Sequence, residues 1–404
     1  MNEQRLGLII LIKNAITGEN QQLPQNFDIE KAYTDITRHQ IASLVYGAAV
    51  KCGIPEDASA MKKLQQDYYI CTAQNDRQLV ALSQLYKAFD SHKIDYLPLK
   101  GSHLKFLYPK PNMRPMGDAD ILIRVSQYDD IIPVMKELGF KKQRETDHEI
   151  VWNSQLIHVE LHKKPIPQYN PDFCRYFGDG WQLAKLKSET RYEMKPEDEF
   201  IYLFAHFAKH YRNGGIGCRH VTDLWVYRRS YPALDENYLQ NEFEKFHLKE
   251  FYLNIKNLLS AWFEDGEWNE KVDFITDFIF RSGAWGRADA HAVSLGVKNM
   301  TDACSYKAGR RKEIRNFIFP DADTLAIRYP VLKKHKWLLP FFWPVRWITA
   351  LLFRRKNIHT QKKAFALATQ ENIEKMQESL HYVGLGFYPE EVSEKTNKQN
   401  KAGS

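Results

Sequence analysis

Asp118 and Asp120 stand one residue apart in the stretch RPMGDADILI, at the mouth of an apolar run. Two carboxylates this close repel each other, and ionised side chains are costly to bury unpaired, so a divalent cation, a proton or a basic side chain must offset their charge. A third acid has a similar setting: in LIHVELHKK, Glu160 alternates with the apolar Val159 and Leu161. Three such carboxylates suit Mg²⁺ or Mn²⁺, which prefer oxygen ligands and leave room for water and phosphate. Upstream, LPLKGSHL reads as a strand, a Gly101-Ser102 turn and a helix. Such a turn presents backbone N–H groups to an anion, with Ser102 adding a hydroxyl and Lys100 a mobile positive charge. A phosphate cradle followed by an acidic metal cluster implies phosphoryl or nucleotidyl transfer. Taken singly, each motif has a plain structural reading: a common turn, a solvated strand end, a polar sheet edge shared by His158, Glu160 and His162. Their order and spacing favour the chemical one.

The elements that must position these residues follow from hydrophobic periodicity. Residues 1–90 carry helical spacing, as in HQIASLVYGAAV, where Ile41, Leu44, Val45 and Ala48 make one stripe. A strand is expected at Tyr96 to Leu99, turning at Gly101 into a helix with Leu104, Phe106 and Leu107. A second strand follows at ADILIRV, then a helix from Ser126 as N-cap to a stop at Gly139, then two extended segments with a turn near Asn153 and Ser154. In a strand, alternate residues share a face, so Asp118 and Asp120 project together, opposite Ala119, Ile121 and Ile123. Glu160 opposes Val159 and Leu161 in the same way. The fold class expected is α+β: a helical region over 1–90, a small mixed sheet over 91–165, a helical region over 166–330 closing the cleft, and an aromatic and basic segment with a polar tail over 331–404.

With those residues in place, the chain resembles the DNA polymerase β-like nucleotidyltransferase superfamily. More closely, LPLKGSHLKFLYPKPNMRPMGDADILI, HVELH and the later HFAKHY and GCRHVTDLW resemble the bacterial family called uncharacterised nucleotidyltransferase, over about residues 35–350. The loop YPKPNMRPMG makes the gap from Gly-Ser to the first Asp longer than is usual in the superfamily; it is a feature of the closer family. The resemblance implies Asp118, Asp120 and Glu160 as metal-binding catalytic acids, Gly101 and Ser102 on the triphosphate, and Lys209, His210, Arg219 and Asp223 lining the nucleotide or acceptor side. It further implies attack of an acceptor hydroxyl on the α-phosphate of an NTP, with ATP the example, releasing pyrophosphate. On this reading Mg²⁺ and phosphate compensate the acids, and Asp118→Asn or Asp120→Asn should relieve repulsion in the metal-free protein. Arg114 either neutralises phosphate or braces the loop against Asp118.

The remaining patterns narrow the reading. HFAKH has zinc-like i, i+4 histidines, His206 and His210, but lacks the glutamate of HExxH, which excludes that hydrolase chemistry. In RNGGIGCRHVTDLW, Arg219 and Asp223 share a helix face and could equally form an internal salt bridge. The 404 residues are 44% hydrophobic, ample for a packed core, and a net charge of +7 favours anionic partners without naming one. No specific nucleic acid is indicated. Five scattered cysteines lack zinc or redox spacing and read as reduced thiols, hence a cytoplasmic setting. The N-terminal apolar patch Leu6 to Ile12 reads as a helix, not a signal. Residues 337–353 are too few to span a bilayer; with basic flanks and three tryptophans they either contact the inner membrane face peripherally or brace the core. Two other functions stay open: a non-catalytic nucleotide- or partner-binding protein that keeps the fold, and an enzyme nucleotidylating a protein.

Overall fold

The stripe in HQIASLVYGAAV does what its spacing predicts: Ile41, Leu44, Val45 and Ala48 are buried. They belong to α3 (Ala42–Lys51), which packs on α1 (Glu3–Thr17) and on the long α4 (Ser59–Ser91), with α2 (Ile29–His39) against α1 and α4. The Asn2 side chain caps α1 by accepting from the Gln4 N–H at 2.8 Å, and Leu8 to Ile12 are buried in its middle. The computed structural model describes residues 2–166 and 171–284, together with 318–326, 331–353, 369–386 and a few single positions between them. It divides into two compact units, residues 1–208 with 216–285, and residues 209–215 with 286–404.

The first unit holds an α+β core built on seven strands. In chain order these are β1 (Tyr96–Leu99), β2 (Asp118–Ile123), β3 (Lys141–Glu145), β4 (Glu149–Asn153), β5 (His158–His162), β6 (Ala184–Ser188) and β7 (Arg191–Met194), arranged β3-β4-β5-β2-β1-β7-β6. The β2–β5 and β1–β7 pairs are parallel and the others antiparallel. β1, β2, β4 and β5 lie where extended segments are expected, β2 and β5 by alternation and β1 as a short apolar run buried at all four positions. β6 and β7 extend the sheet beyond 91–165, and β3 adds an edge that has no apolar pattern.

Two helices differ from expectation. The helix after Gly101 is one turn, α5 (Gly101–Leu104), followed by a 3₁₀ turn at Lys105–Leu107 that leaves Phe106 exposed. Ser126 does not cap α6 (Tyr128–Glu137); it lies in a 3₁₀ turn, and Gln127 occupies the cap position without a side-chain bond. Asp129 and Asp130 in the first turn instead complement the helix dipole. Gly139, at φ 77°, ends the helix as expected.

One face of the sheet is covered by α4 and α6. Leu82, Leu85 and Phe89 from α4 and Ile131, Val134 and Met135 from α6 meet Ala119, Ile121 and Ile123 of β2 and Val159 and Leu161 of β5. After α7 (Pro171–Phe177), the chain continues as α8 (Pro196–Arg212), α9 (Cys218–Ser230), α10 (Glu236–Lys245), α11 (Lys249–Phe263) and α12 (Glu270–Ser282). Cys52, Cys71 and Cys218 are free thiols; Cys304 and the polar tail from 393 lie outside the described residues. No helix among the described residues is long and apolar enough to cross a membrane.

Because Phe89 is fully buried between helix and sheet, Phe89→Ala should lower unfolding free energy by about 3–5 kcal/mol, read as a reduced urea midpoint at unchanged m.

Candidate functional site

The parallel pairing of β2 with β5 puts Asp118 opposite His158, Asp120 opposite Glu160 and Leu122 opposite His162. With Ala119, Ile121, Val159 and Leu161 committed to the apolar core, the acids all project to the other face. β4 joins them in register, with Glu149 opposite His162. The face thus carries a diagonal of polar groups running from Asp118 through Asp120, Glu160 and His162 to Glu149.

Asp120 is the most deeply placed of the acids, 4% exposed. Its charge is offset from both sides. Lys100 Nζ donates to Oδ1 at 2.6 Å from the end of β1, and His162 Nε2 donates to the same oxygen at 2.8 Å from the end of β5. Burial alone would raise the Asp120 pKa, but Lys100 and His162 overcome it and hold the carboxylate ionised, well below the usual range. Burial likewise opposes the Lys100 charge, and Asp120 more than restores it. Lys100 adopts φ 45° and ψ −122°, a conformation that costs a side-chain-bearing residue about 1–3 kcal/mol. That bend ends β1 and starts α5.

The other two acids are shifted the opposite way. Burial raises the Asp118 pKa, and the Asp120 charge adds to it. Glu160 is pushed up to about 7 by burial, then by Asp118, Glu149 and Asp120. Among the described residues, the groups whose donor atoms all lie within 4.8 Å of one another are Asp120–Glu160–His162 and His148–Glu149–His162. Asp118 belongs to neither, so the Asp118–Asp120–Glu160 set expected from the sequence is present on one face but not drawn together to that distance. His162 is the residue that sequence reasoning missed. Its signal was the i, i+2 spacing in HVELH, which placed it beside Glu160. It is 1% exposed, and its Nδ1 has no hydrogen-bond partner. Carboxylates with a neighbouring imidazole fit Mn²⁺ as well as Mg²⁺.

The cradle residues are arranged differently from expectation. Ser102 Oγ lies 2.6 Å from the Leu99 carbonyl and 2.7 Å from the Asp120 carbonyl, so its hydroxyl donates inward and ties β1 to β2. A Cβ on Gly101 would come within 2.4 Å of Arg114 Nη1, so glycine is required there by a side chain of the protein itself. Arg114 braces Asp223, not Asp118: Nη2 donates to Oδ2 at 2.9 Å and Nε to Oδ1 at 3.2 Å, while the Tyr108 hydroxyl donates to Oδ1 at 2.7 Å. Asp223 therefore ties α9 to the loop before β2. Arg219 Nη1 donates to the Pro115 carbonyl of that loop at 3.3 Å, and burial followed by Arg114 lowers its pKa to about 10. Lys105, also unforeseen, is fully buried with no hydrogen bond to its ammonium, and burial and Arg114 pull it to about 8. Lys209 and His210 fall in the last turn of α8, in the second unit.

A family model described as uncharacterised nucleotidyltransferase matches residues 25–264. No curated protein and no solved structure matches the chain.

The raised Glu160 pKa has a consequence for stability. The folded state binds a proton more tightly than the unfolded one, so this group's contribution falls as pH rises from about 4.5 to about 7. Glu160→Gln removes the penalty. In metal-free buffer the variant should exceed wild type by on the order of 1–2 kcal/mol at pH 8, allowing for partial solvent access, and match it near pH 4. Urea unfolding at both pH values checks it.

Proposed function

The chain belongs to the uncharacterised nucleotidyltransferase family, and from that premise we propose that it moves an NMP from an NTP to a hydroxyl of an acceptor and releases pyrophosphate. The carrying observation is the in-register Asp120–Glu160 pair across β2 and β5, with Asp118 on the same face. In this reaction a new bond forms between the acceptor oxygen and the α-phosphorus, the bridging α–β oxygen leaves with pyrophosphate, and the hydroxyl proton is transferred to a base. Asp118, Asp120 and Glu160 would hold Mg²⁺ or Mn²⁺, which when bound neutralises phosphate charge and lowers the pKa of the hydroxyl.

The remaining chemistry belongs to the side chains. Among the described residues both hydrogen bonds on Asp120 fall on Oδ1, which leaves Oδ2 for a cation. His162 orients Asp120, as outer partners of metal ligands do. Glu160, whose pKa burial and the neighbouring acids raise to about 7 in the metal-free protein, would lose that proton on binding a cation and serve as the third carboxylate. Lys100 neutralises Asp120, and would be available to pair with phosphate where a cation offset that carboxylate instead. Gly101 and Ser102 shape the turn beside it. The buried cations Lys105, Arg114 and Arg219, with Asp223 among them, leave an excess of positive charge near the loop before β2, which supports an anionic ligand there.

One observation favours a second reading. The Lys100–Asp120 ion pair already satisfies a metal-binding acid, as in a protein that keeps the fold to bind nucleotide or a partner without turnover. Nucleotide binding without pyrophosphate release, tested with all four NTPs, Mg²⁺ and Mn²⁺, and an extract as acceptor pool, selects that reading. A mass gain of one NMP on a co-purified protein identifies a protein acceptor.

The two aspartates should separate in a stability and turnover experiment. Asp118→Asn relieves repulsion and should melt at or above wild type, while losing pyrophosphate release by about a hundredfold or more. Asp120→Asn orphans Lys100 and should cost about 3 kcal/mol, the low end for a buried pair because Lys100 keeps 18% side-chain exposure. Mg²⁺ with the turned-over NTP should raise the wild-type midpoint and hardly move either variant. Wild-type turnover by Asp118→Asn overturns the proposal.

A further inference from the structure

We propose that the helix Leu339–Phe353 lies along an anionic membrane surface, with Trp337, Phe341, Val345 and Ile348 at head-group depth. The inference is independent of the nucleotidyl-transfer reading, since it rests on the second unit alone.

A surface helix ordinarily turns its polar side to water. Here the arrangement is inverted. Trp337, Phe341, Val345 and Ile348, spaced by four, four and three residues, are 70%, 67%, 44% and 57% exposed, and Pro340 and Pro344 between them are exposed too. No polar side chain interrupts that outward stripe. The polar residues of this stretch, Arg346 and Thr349, sit on the half-buried side.

That side is held in place, so the stripe has a fixed direction. Trp343 Nε1 donates to the Pro320 carbonyl at 2.9 Å and Trp347 Nε1 to the Ile318 carbonyl at 2.8 Å. Leu338, Leu339, Phe342 and Trp343 pack on a small core of Leu325, Ala326 and Leu332. Of the three tryptophans, Trp343 and Trp347 are therefore bracing groups, and Trp337 faces outward. One face of the segment thus packs within its own unit, and the proposal concerns the opposite face.

Charge selects the occupant. From 331 to 356 the sequence holds no Asp or Glu but Lys333, Lys334, Lys336, Arg346, Arg354, Arg355 and Lys356. Lys334, His335 and Lys336 are exposed at the start of the helix. Exposed bases at the start of an apolar, aromatic stripe, with three more following it in the sequence, match anionic head groups above acyl chains. A second copy of the same face would bring like charges together, which disfavours self-association. Fifteen residues of helix extend about 22 Å, short of a bilayer core, so the helix lies on the surface instead of crossing it.

The test is co-sedimentation of the full chain with vesicles of phosphatidylcholine alone or mixed with phosphatidylserine, with tryptophan emission as a second readout. Binding is expected to the mixed vesicles, with a blue shift and loss at high salt. F341S/I348S should abolish it and K334Q/K336Q should weaken it by about tenfold or more, with circular dichroism and melting unchanged because these positions are exposed. No sedimentation with the mixed vesicles at low salt overturns the proposal, as does binding that F341S/I348S leaves intact. A wild-type dimer that F341S/I348S converts to monomer, without vesicle binding, overturns it in favour of a second copy.

Discussion

The buried charge of Asp120 is the constraint around which the sheet is organised. A carboxylate at 4% exposure persists as an anion only if cations reach it, and they reach it from the two strands that flank β2: Lys100 off the end of β1, His162 off the end of β5. Both depend on register. Sliding β2 by one residue would send Asp120 into the core against Leu85 and Val134 and bring Ala119 or Ile121 to the polar face, which no packing would tolerate. Ser102 secures the register by bonding to carbonyls on both β1 and β2. The site and the sheet are therefore one structural problem, solved by the same alternation.

Compensating Asp120 so thoroughly leaves its neighbours uncompensated, and that asymmetry sorts the acids. Asp120 stays charged across the neutral range, whereas Glu160 faces Asp118, Glu149 and Asp120 with His162, 3.9 Å away, as its ion-pair neighbour, and its pKa is pushed up to about 7. Carboxyl groups driven apart in pKa are suited to different tasks. On the proposed reaction, Asp120 is the permanent anchor and Glu160 the group that would give up a proton when a cation binds. Repulsion between the acids, expected from their spacing alone, thus describes Asp118 and Glu160 but is outweighed at Asp120.

What the sequence made legible follows the same logic. DADILI and HVELH alternate because one face is core and the other polar, so β2 and β5, their facing acids and the α+β class can be read directly. β3 and β6 could not be: as edge strands with exposed faces, KKQRE and AKLKS need no apolar alternation, and their lysines suit unpaired edges. The partners of the charges were also hidden. Lys100 meets Asp120 because of a backbone angle that no side-chain pattern signals, and Arg114 meets Asp223 across 109 positions. His162 was visible but read as weakening Glu160, since a polar sheet edge and a polar site share the same alternation.

The Arg114–Asp223 bond explains why the loop before β2 can be long and still deliver its acids accurately. YPKPNMRPMG would by itself be an entropic liability. Asp223 on α9 grips Arg114 with both oxygens, Tyr108 braces Asp223 from the start of the loop, Arg219 holds the Pro115 carbonyl, and Gln78 on α4 donates to the Met116 carbonyl at 2.8 Å. Contacts from α9 and α4, with Tyr108 of the loop itself, thus fix the residues just ahead of Asp118. Arg114 in turn fills the space a side chain at Gly101 would need, so the turn after β1 and the entry to β2 are shaped by the same guanidinium. A substitution at Gly101 would reach the acids through Arg114 as well as through any phosphate, which makes the glycine a reporter of the whole arrangement instead of the cradle alone.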